Sequence, residues 1–317
     1  MTSPESTPTP AWLLWTDRVL AAAALGVVAW ACVTAWGAIV HGHPAYAILL
    51  ALTAIGSVLV LVLSVTRRTG RPGWRRALRV GGAVLGLVWI VTVAWLRPFP
   101  AIEPALMALE SDDAVAVTET ATRIVFEPAD GGDEPALLFQ PGARVDPRAY
   151  AAHLRPLAEA GHLVVITKQP LGIGFLNMGA LDAAREDFPR VTSWAVGGHS
   201  LGGVVASMEA DASDDAAAPA AGLLLFASYP AGDISSTLTA AVESISGTED
   251  GLSTPEAIDE SRANLPADAH FTIIEGASHA QFGDYGPQPG DGVATISDDD
   301  ARAQITAAAL AFLDSLS

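Results

Sequence analysis

The sequence predicts an α/β domain, built on a mostly parallel sheet with helices on both faces and a minimal lid or none, preceded by three transmembrane α-helices. Three observations lead there. Three long apolar stretches without charged residues occupy the first part of the chain, short β-rich runs alternate with helical ones from about Val115, and a Gly-x-Ser-x-Gly turn sits between a strand-like and a helix-like run. The composition agrees: half of the 317 residues are hydrophobic, only 16% are charged, and mean hydropathy is +0.36. That apolar content excludes disorder for the bulk of the chain. The length excludes a mini-protein that needs disulfide staples.

The apolar stretches run over about Val19–Val40, Tyr46–Thr66 and Val80–Leu96, with no Lys, Arg, Asp or Glu in any of them. Each approaches the ~20 residues that an α-helix needs to cross ~30 Å of hydrocarbon. Trp12, Trp15, Trp30, Trp36, Trp74, Trp89 and Trp95 lie in or beside them, several near ends where indoles favour the headgroup region. A cleaved signal peptide would account for the first stretch but not for the second and third. A water-soluble bundle would show a polar stripe on its surface helices. The sequence thus divides into an N-terminal segment at 1–18 that is Ser/Thr/Pro-rich at its start and read as disordered, a three-helix membrane region at 19–96, a proline-rich linker at 97–114 and an α/β domain at 115–317.

Charge supplies the orientation. Residues 1–100 carry eight arginines against Glu5 and Asp17, a net +6, so the rest of a chain at −18 carries −24. Six of those arginines crowd the loop from Arg67 to Arg79, whereas HGHPA, between the first two stretches, has no formal charge. Arginine-rich short loops stay in the cytoplasm, which predicts a cytoplasmic N-terminus and an acidic domain on the extracytoplasmic side of a multi-pass cell-membrane protein. The acidic domain argues against nucleic acid as a partner, because phosphate binding needs clustered Lys and Arg. Lys168 is the only lysine. Cys32 is the only cysteine, which forbids an intrachain disulfide or a Cys-based zinc site.

In the α/β domain, VAVTETATRIVFEP, ALLFQ, LVVITK, SWAVGG, GLLLFAS, VESIS and HFTIIEG read as β-rich runs. Helices are expected near Pro147–Ala160, Leu181–Phe188, from about Leu201, near Pro255–Asn264 and near Asp298–Ser317. Continuously apolar runs such as LVVIT suit strands covered on both faces, and the alternation suits parallel crossovers. Asp146-Pro147 and Thr254-Pro255 each place a capping side chain before a first-turn proline. The acidic residues of ISDDDARA, 296–303, read as a helix start rather than a cation site.

The chemistry concentrates in VGGHSLGG, residues 196–203. Gly198-His199-Ser200-Leu201-Gly202 matches the nucleophile elbow, in which a serine on a tight strand-to-helix turn is thrust out of the sheet edge. Side chains two positions to either side would collide, and the helix start aims free N–H groups at developing negative charge. A serine hydroxyl needs a base. His41 and His43 sit between membrane stretches, His153 and His162 flank a helix, the His199 side chain points away around the turn, and His270 begins a strand. His279, in a small-residue loop after HFTIIEG, is expected at the same sheet edge as Ser200 and is the candidate base. Asp250, beyond VESIS, is the candidate acid that orients it, with Glu249 and the more distant Asp284 as alternatives. The oxyanion donors are expected to be the N–H groups of Leu201 and of Ala143, with Gly142 close behind.

The stretches LLFQPGARVDPRAYAAHLRPLAEAGHLVVITKQP, VGGHSLGG and GASHAQFGDYGP together resemble the α/β-hydrolase superfamily, and within it a small bacterial serine hydrolase group related in fold to dienelactone hydrolases. The resemblance covers about Val115 onward and not residues 1–100. It implies that fold and a Ser200–Asp250–His279 triad in the chain order Ser, acid, His. Dienelactone hydrolases use a cysteine nucleophile where this chain has Ser200, so their substrate is not carried over. The segment YPAGDISSTLTAA, 229–241, is short for a lid, and Phe175, Leu176 and Asn177 are expected to line an open pocket. The expected function is that of a membrane-anchored serine hydrolase acting on small ester-like acyl substrates, with the lipid bilayer as its other partner and no cofactor or metal. An acyltransferase or peptidase differs only in acceptor or bond. A non-catalytic receptor or scaffold is the rival from another class, and a transporter is disfavoured by spans without ionisable groups.

Overall fold

The computed structural model describes residues 11–66, 74–214 and 218–317. Residues 1–10 and 67–73, the latter holding three of the six arginines used for orientation, lie outside the described residues. The chain forms two compact units, residues 1–40 with 44–97, and residues 41–43 with 98–317.

The first unit consists of α1 (Ala11–His41), α2 (Pro44–Thr66) and α3 (Trp74–Trp95). Within them, Trp15–His41, Pro44–Val65 and Ala77–Trp95 are long and apolar enough to cross a membrane. Several of their polar groups are paired within the unit. Tyr46 Oη donates to the Val93 carbonyl at 3.0 Å, Trp89 Nε1 to Thr53 Oγ1 at 3.0 Å, and Arg18 Nε to Ser64 Oγ at 3.0 Å. Small residues on one side of α1 (Ala31, Ala35 and Ala38) are buried, whereas large ones such as Val33 and Trp36 face outward. At Ala35 the backbone leaves the helical region (φ −144°, ψ 28°), which kinks α1.

The second unit is an eight-stranded sheet in the order β1-β2-β4-β3-β5-β6-β7-β8. The strands are β1 (Val115–Glu119), β2 (Arg123–Pro128), β3 (Asp133–Gln140), β4 (His162–Thr167), β5 (Trp194–His199), β6 (Gly222–Phe226), β7 (Ala241–Gly247) and β8 (His270–Ile274). β1 and β2 pair antiparallel, as do β2 and β4, and the pairs from β4 through β8 are parallel. The run VAVTETATRIVFEP therefore divides into a hairpin with its bend at 120–122.

Alternation along the strands builds two cores, because successive side chains leave a strand on opposite faces. Leu137, Phe139, Leu224 and Phe226 join one apolar cluster, with Leu154 of α4 (Ala151–Glu159) and Phe312 of α8 (Asp298–Ser315). Ala136, Leu138, Leu223 and Leu225 join the other, with Leu181 of α5 (Ala180–Asp187) and Ala206 of α6 (Leu201–Ser213). Full burial of each such Leu or Phe contributes about 1.5–3 kcal/mol. The capping expectations hold: the Asp146 side chain accepts from the Arg148 N–H, and Thr254 Oγ1 accepts from the Ala257 N–H at the start of α7 (Pro255–Ser261). Asp298–Asp300 form the first turn of α8 under a Ser297 cap.

Residues 98–114, read above as a linker, run along this unit: the Phe99 N–H donates to the Arg144 carbonyl, the Asp146 N–H to the Phe99 carbonyl, and the Ile102 N–H to the Asp284 carbonyl. Lys168, at the end of β4, is buried, and its ammonium donates to Glu119 Oε1 at 2.7 Å and to the Thr120 carbonyl at 2.5 Å. The segment between β6 and β7 contains no helix. β3 lies between β4 and β5, so the crossover from β3 to β4 runs one way along the sheet and the next, from β4 to β5, runs back past β3 the other way. At such a reversal the loops beyond the strand ends part and leave a crevice.

Candidate active site

Ser200 occupies the turn between β5 and α6 with φ 52° and ψ −124°. A side chain in the positive-φ region is strained, at a cost of order 1–3 kcal/mol. The surroundings hold it there: the Ser200 N–H donates to the Phe226 carbonyl at 3.0 Å, while the Ser200 carbonyl accepts from the Gly203 N–H at 2.9 Å and from Ser228 Oγ at 2.7 Å. The glycines two positions away are required by close approach. A Cβ on Gly198 would run into the Gly202 carbonyl group, and one on Gly202 into the carbonyl oxygens of Gln140 and Pro141.

β5, β7 and β8 are parallel, so the loops after their C-terminal ends share one sheet edge. Ser200 follows β5, Asp250 follows β7 and His279 follows β8. The Asp250 carboxylate is buried, and its Oδ1 accepts from the Leu252 and Ser253 N–H groups at 2.8 and 2.7 Å. Its Oδ2 lies 2.8 Å from His279 Nδ1. A carboxylate can only accept, so Nδ1 carries the proton and the neutral ring presents the Nε2 lone pair. Nε2 is buried and has no hydrogen-bond partner, so no hydrogen bond joins it to Ser200 Oγ in this structure.

The carboxylate that reaches His279 is thus Asp250. Asp284 instead pairs with Arg302, at 2.7 Å, and with His153, at 3.5 Å. Burial raises the pKa of the Asp284 carboxyl, but the hydrogen bonds and charges of His153 and Arg302 outweigh it and leave the group below the usual carboxylate range. Of the remaining histidines, His162 is held between the Pro135 carbonyl and Asp314, and His270 faces Glu243.

Two groups with no local sequence signal complete the surroundings. The Tyr150 hydroxyl accepts the Gly142 N–H at 2.8 Å and lies within hydrogen-bond distance of His199 Nδ1, at 2.9 Å. The His199 ring in turn packs on the His279 ring, with centroids 4.5 Å apart. Burial, then the positive charge that His279 and His153 would carry, hold the His199 pKa well below its ordinary value, so this imidazole is neutral. Because Gly142 is engaged by Tyr150, the unengaged donors of the two turns are the N–H groups of Ala143 and Leu201, which donate to no group among the described residues. Beneath them, Gln140 Nε2 donates to Glu209 Oε2 at 2.8 Å, and Glu209 Oε1 accepts the Ala180 N–H at 2.7 Å. Burial raises the Glu209 pKa against these hydrogen bonds. Phe175 and Leu176 lie on a short 3-10 turn, Gly174–Asn177, and are about half exposed, with Asn177 partly covered. Among the described residues no cluster of three or more His, Cys, Asp or Glu side chains is arranged to hold a metal ion.

A family model described as "Alpha/beta hydrolase family" matches residues 136–303. The solved structures to which the chain is similar include a thermophilic esterase, Est2, from the Planctomycetes species Thermogutta terrifontis in a butyrate-bound form, at 15% identity over 64% of this chain and 94% of that one, TM-score 0.45. They also include a monoacylglycerol lipase from Paleococcus ferrophilus, at 15% identity over 64% of this chain and 100% of that one, TM-score 0.47. A thermostable esterase from Pseudomonas putida ECU1011 is 16% identical over 66% of this chain and 86% of that one, TM-score 0.47. No curated protein matches the chain.

Proposed function

The chain belongs to the alpha/beta hydrolase family, and from that premise we propose that it is a membrane-anchored serine hydrolase that cleaves ester-like acyl substrates. The observation that carries this reading is the buried 2.8 Å hydrogen bond between Asp250 and His279, at the sheet edge where the Ser200 turn also lies. Ser200 Oγ attacks the acyl carbonyl while His279 Nε2 takes its proton, and Asp250 stabilises the imidazolium that forms. The N–H groups of Leu201 and Ala143 receive the oxyanion. His279 then protonates the departing alkoxide, leaving an acyl group on Ser200. Water, deprotonated by the same imidazole, releases the acid and restores the serine.

The three apolar helices anchor this domain in the bilayer, and the six arginines from Arg67 to Arg79, of which Arg75, Arg76 and Arg79 stand in the first turns of α3, keep that end of the helix in the cytoplasm. The hydrolase domain then lies on the extracytoplasmic side. A reporter fused after Ser317 is expected to be active only outside the cytoplasm, and activity confined to the cytoplasm would overturn this topology. The enzymatic reading is tested on the full chain in detergent micelles with p-nitrophenyl acetate and a fluorophosphonate probe. Turnover and labelling are expected in the parent, with kcat lowered by about 10³–10⁶ and labelling abolished in Ser200→Ala. Equal turnover by the two proteins would end it.

A further inference from the structure

Asp291 lies in the loop between β8 and α8, and its side chain makes an unusual set of contacts. Its Oδ1 accepts the N–H groups of Gly292 at 2.7 Å, of Gly251 at 3.1 Å and of His279 at 3.1 Å. Its Oδ2 accepts the Ala280 N–H at 2.8 Å. Gly251 directly follows Asp250, and His279 and Ala280 open the short 3-10 helix His279–Phe282. One carboxylate therefore joins the turn that carries the acid to the turn that carries the base. Resting on the assignments of Proposed function, we propose that Asp291 is the positioning residue of the Asp250–His279 pair.

The backbone around it is shaped for this role. A Cβ on Gly251 would meet the Gly292 nitrogen at 2.6 Å and the Asp291 carbonyl carbon at 2.8 Å, and one on Gly292 would run into the Glu249 carbonyl oxygen. The loop at 290–292 thus lies flush against 249–251. Within its own turn, Asp250 is oriented by the Leu252 and Ser253 N–H groups. Those bonds set the angle of the Asp250 carboxylate. The Glu249 N–H to Ala277 carbonyl bond, at 2.9 Å, and the Gly276 N–H to Thr248 Oγ1 bond, at 2.8 Å, tie the bases of the two loops, but neither reaches the Gly251 or His279 N–H that Asp291 holds. The only side chain among the described residues that accepts N–H groups from both loops is Asp291. A carboxylate supplies lone pairs on both oxygens, whereas an amide would turn an N–H₂ group toward one of these donors. Asp291→Asn is therefore close in size and wrong in polarity.

The test uses the full chain in detergent micelles and compares the parent, Asp291→Asn, Asp291→Ala and Ser200→Ala. Two readouts are taken: kcat and KM for p-nitrophenyl acetate, and the downfield proton NMR signal of His279 Nδ1–H, which needs no turnover. If Asp291 positions the pair, both Asp291 variants fold, keep KM within about twofold and lose about 10- to 100-fold in kcat, the size of effect that a misplaced catalytic group produces. Their downfield signal moves or exchanges away, while Ser200→Ala keeps that signal and loses activity. Folded Asp291 variants that retain both the signal and kcat within about twofold of the parent overturn the proposal. So do variants whose kcat falls only in proportion to the unfolded fraction measured by circular dichroism. Because the signal is read without activity, a parent that turns over nothing defeats the hydrolase reading and still leaves the clamp open to confirmation or refutation.

Discussion

The same residue types serve opposite ends in the two units. In α1, α2 and α3, Val33, Leu52 and Leu85 are 84%, 60% and 70% exposed, and the buried positions of α1 are mainly small. In the sheet, Leu223, Leu224 and Leu225 are fully buried on alternate faces. An apolar side chain goes where its medium is apolar. For the sheet that medium is the protein's own interior, and for the three helices it is whatever surrounds them. The difference teaches that sequence hydropathy reports the need for an oily environment, and that only periodicity says who supplies it.

Charge insertion is the sharpest way to break this contrast. Leu225→Lys places an ammonium in a closed core without a partner, which costs several kcal/mol beyond the lost packing. Against a typical domain stability of about 5–15 kcal/mol, the α/β unit is expected to lose its cooperative unfolding transition. An intact transition by circular dichroism would contradict the described packing. Leu52→Lys, on an outward face of α2, leaves protein packing nearly untouched but is expected to cost about 2.5–3.5 kcal/mol of membrane integration. Glycosylation-tagged insertion in microsomes measures it, and unchanged insertion would mean that this face does not meet lipid.

A smaller effect separates the buried histidine from the rest of the α/β core. The His199 pKa lies well below 6.5 in the folded protein because burial, then His279 and His153, oppose its charge. As pH falls through 6.5 the unfolded chain takes up a proton that the folded one refuses, so stability is full above that pH and declines below it, by up to about 1.4 kcal/mol per unit. His199→Gln is expected to flatten the fall between pH 7 and pH 5 in urea unfolding. Parallel curves for variant and parent would show that His199 is not the group responsible.

What could be read beforehand was whatever is local in the chain. Gly198, Ser200 and Gly202 stand out as one five-residue pattern, and for Gly198 the collision is local too, with Gly202 and Gly203, whereas the space that Gly202 must leave belongs to Gln140 and Pro141, far off in the chain. That Asp250 and His279 meet was legible because a loop that follows a parallel strand must emerge at one edge of the sheet. Tyr150 and Asp291 were not, since their partners come from segments brought together only by the fold: Asp291 lies 40 residues from Gly251 and Tyr150 lies 49 from His199. The hairpin of β1 and β2 was hidden for a related reason, because alternation marks a strand without marking where it turns back. The start of α1 at Ala11 rather than near Val19 reflects the reach of a helix beyond its apolar stretch, through Asp17 and Arg18.

The enclosure of Lys168 has a practical outcome. An amine-seeking acylating reagent finds one lysine side chain in 317 residues, and it is sealed behind its bonds to Glu119 and Thr120. Acyl transfer to that side chain requires the end of β4 to open first, which makes its modification rate a built-in clock for the opening of the sheet.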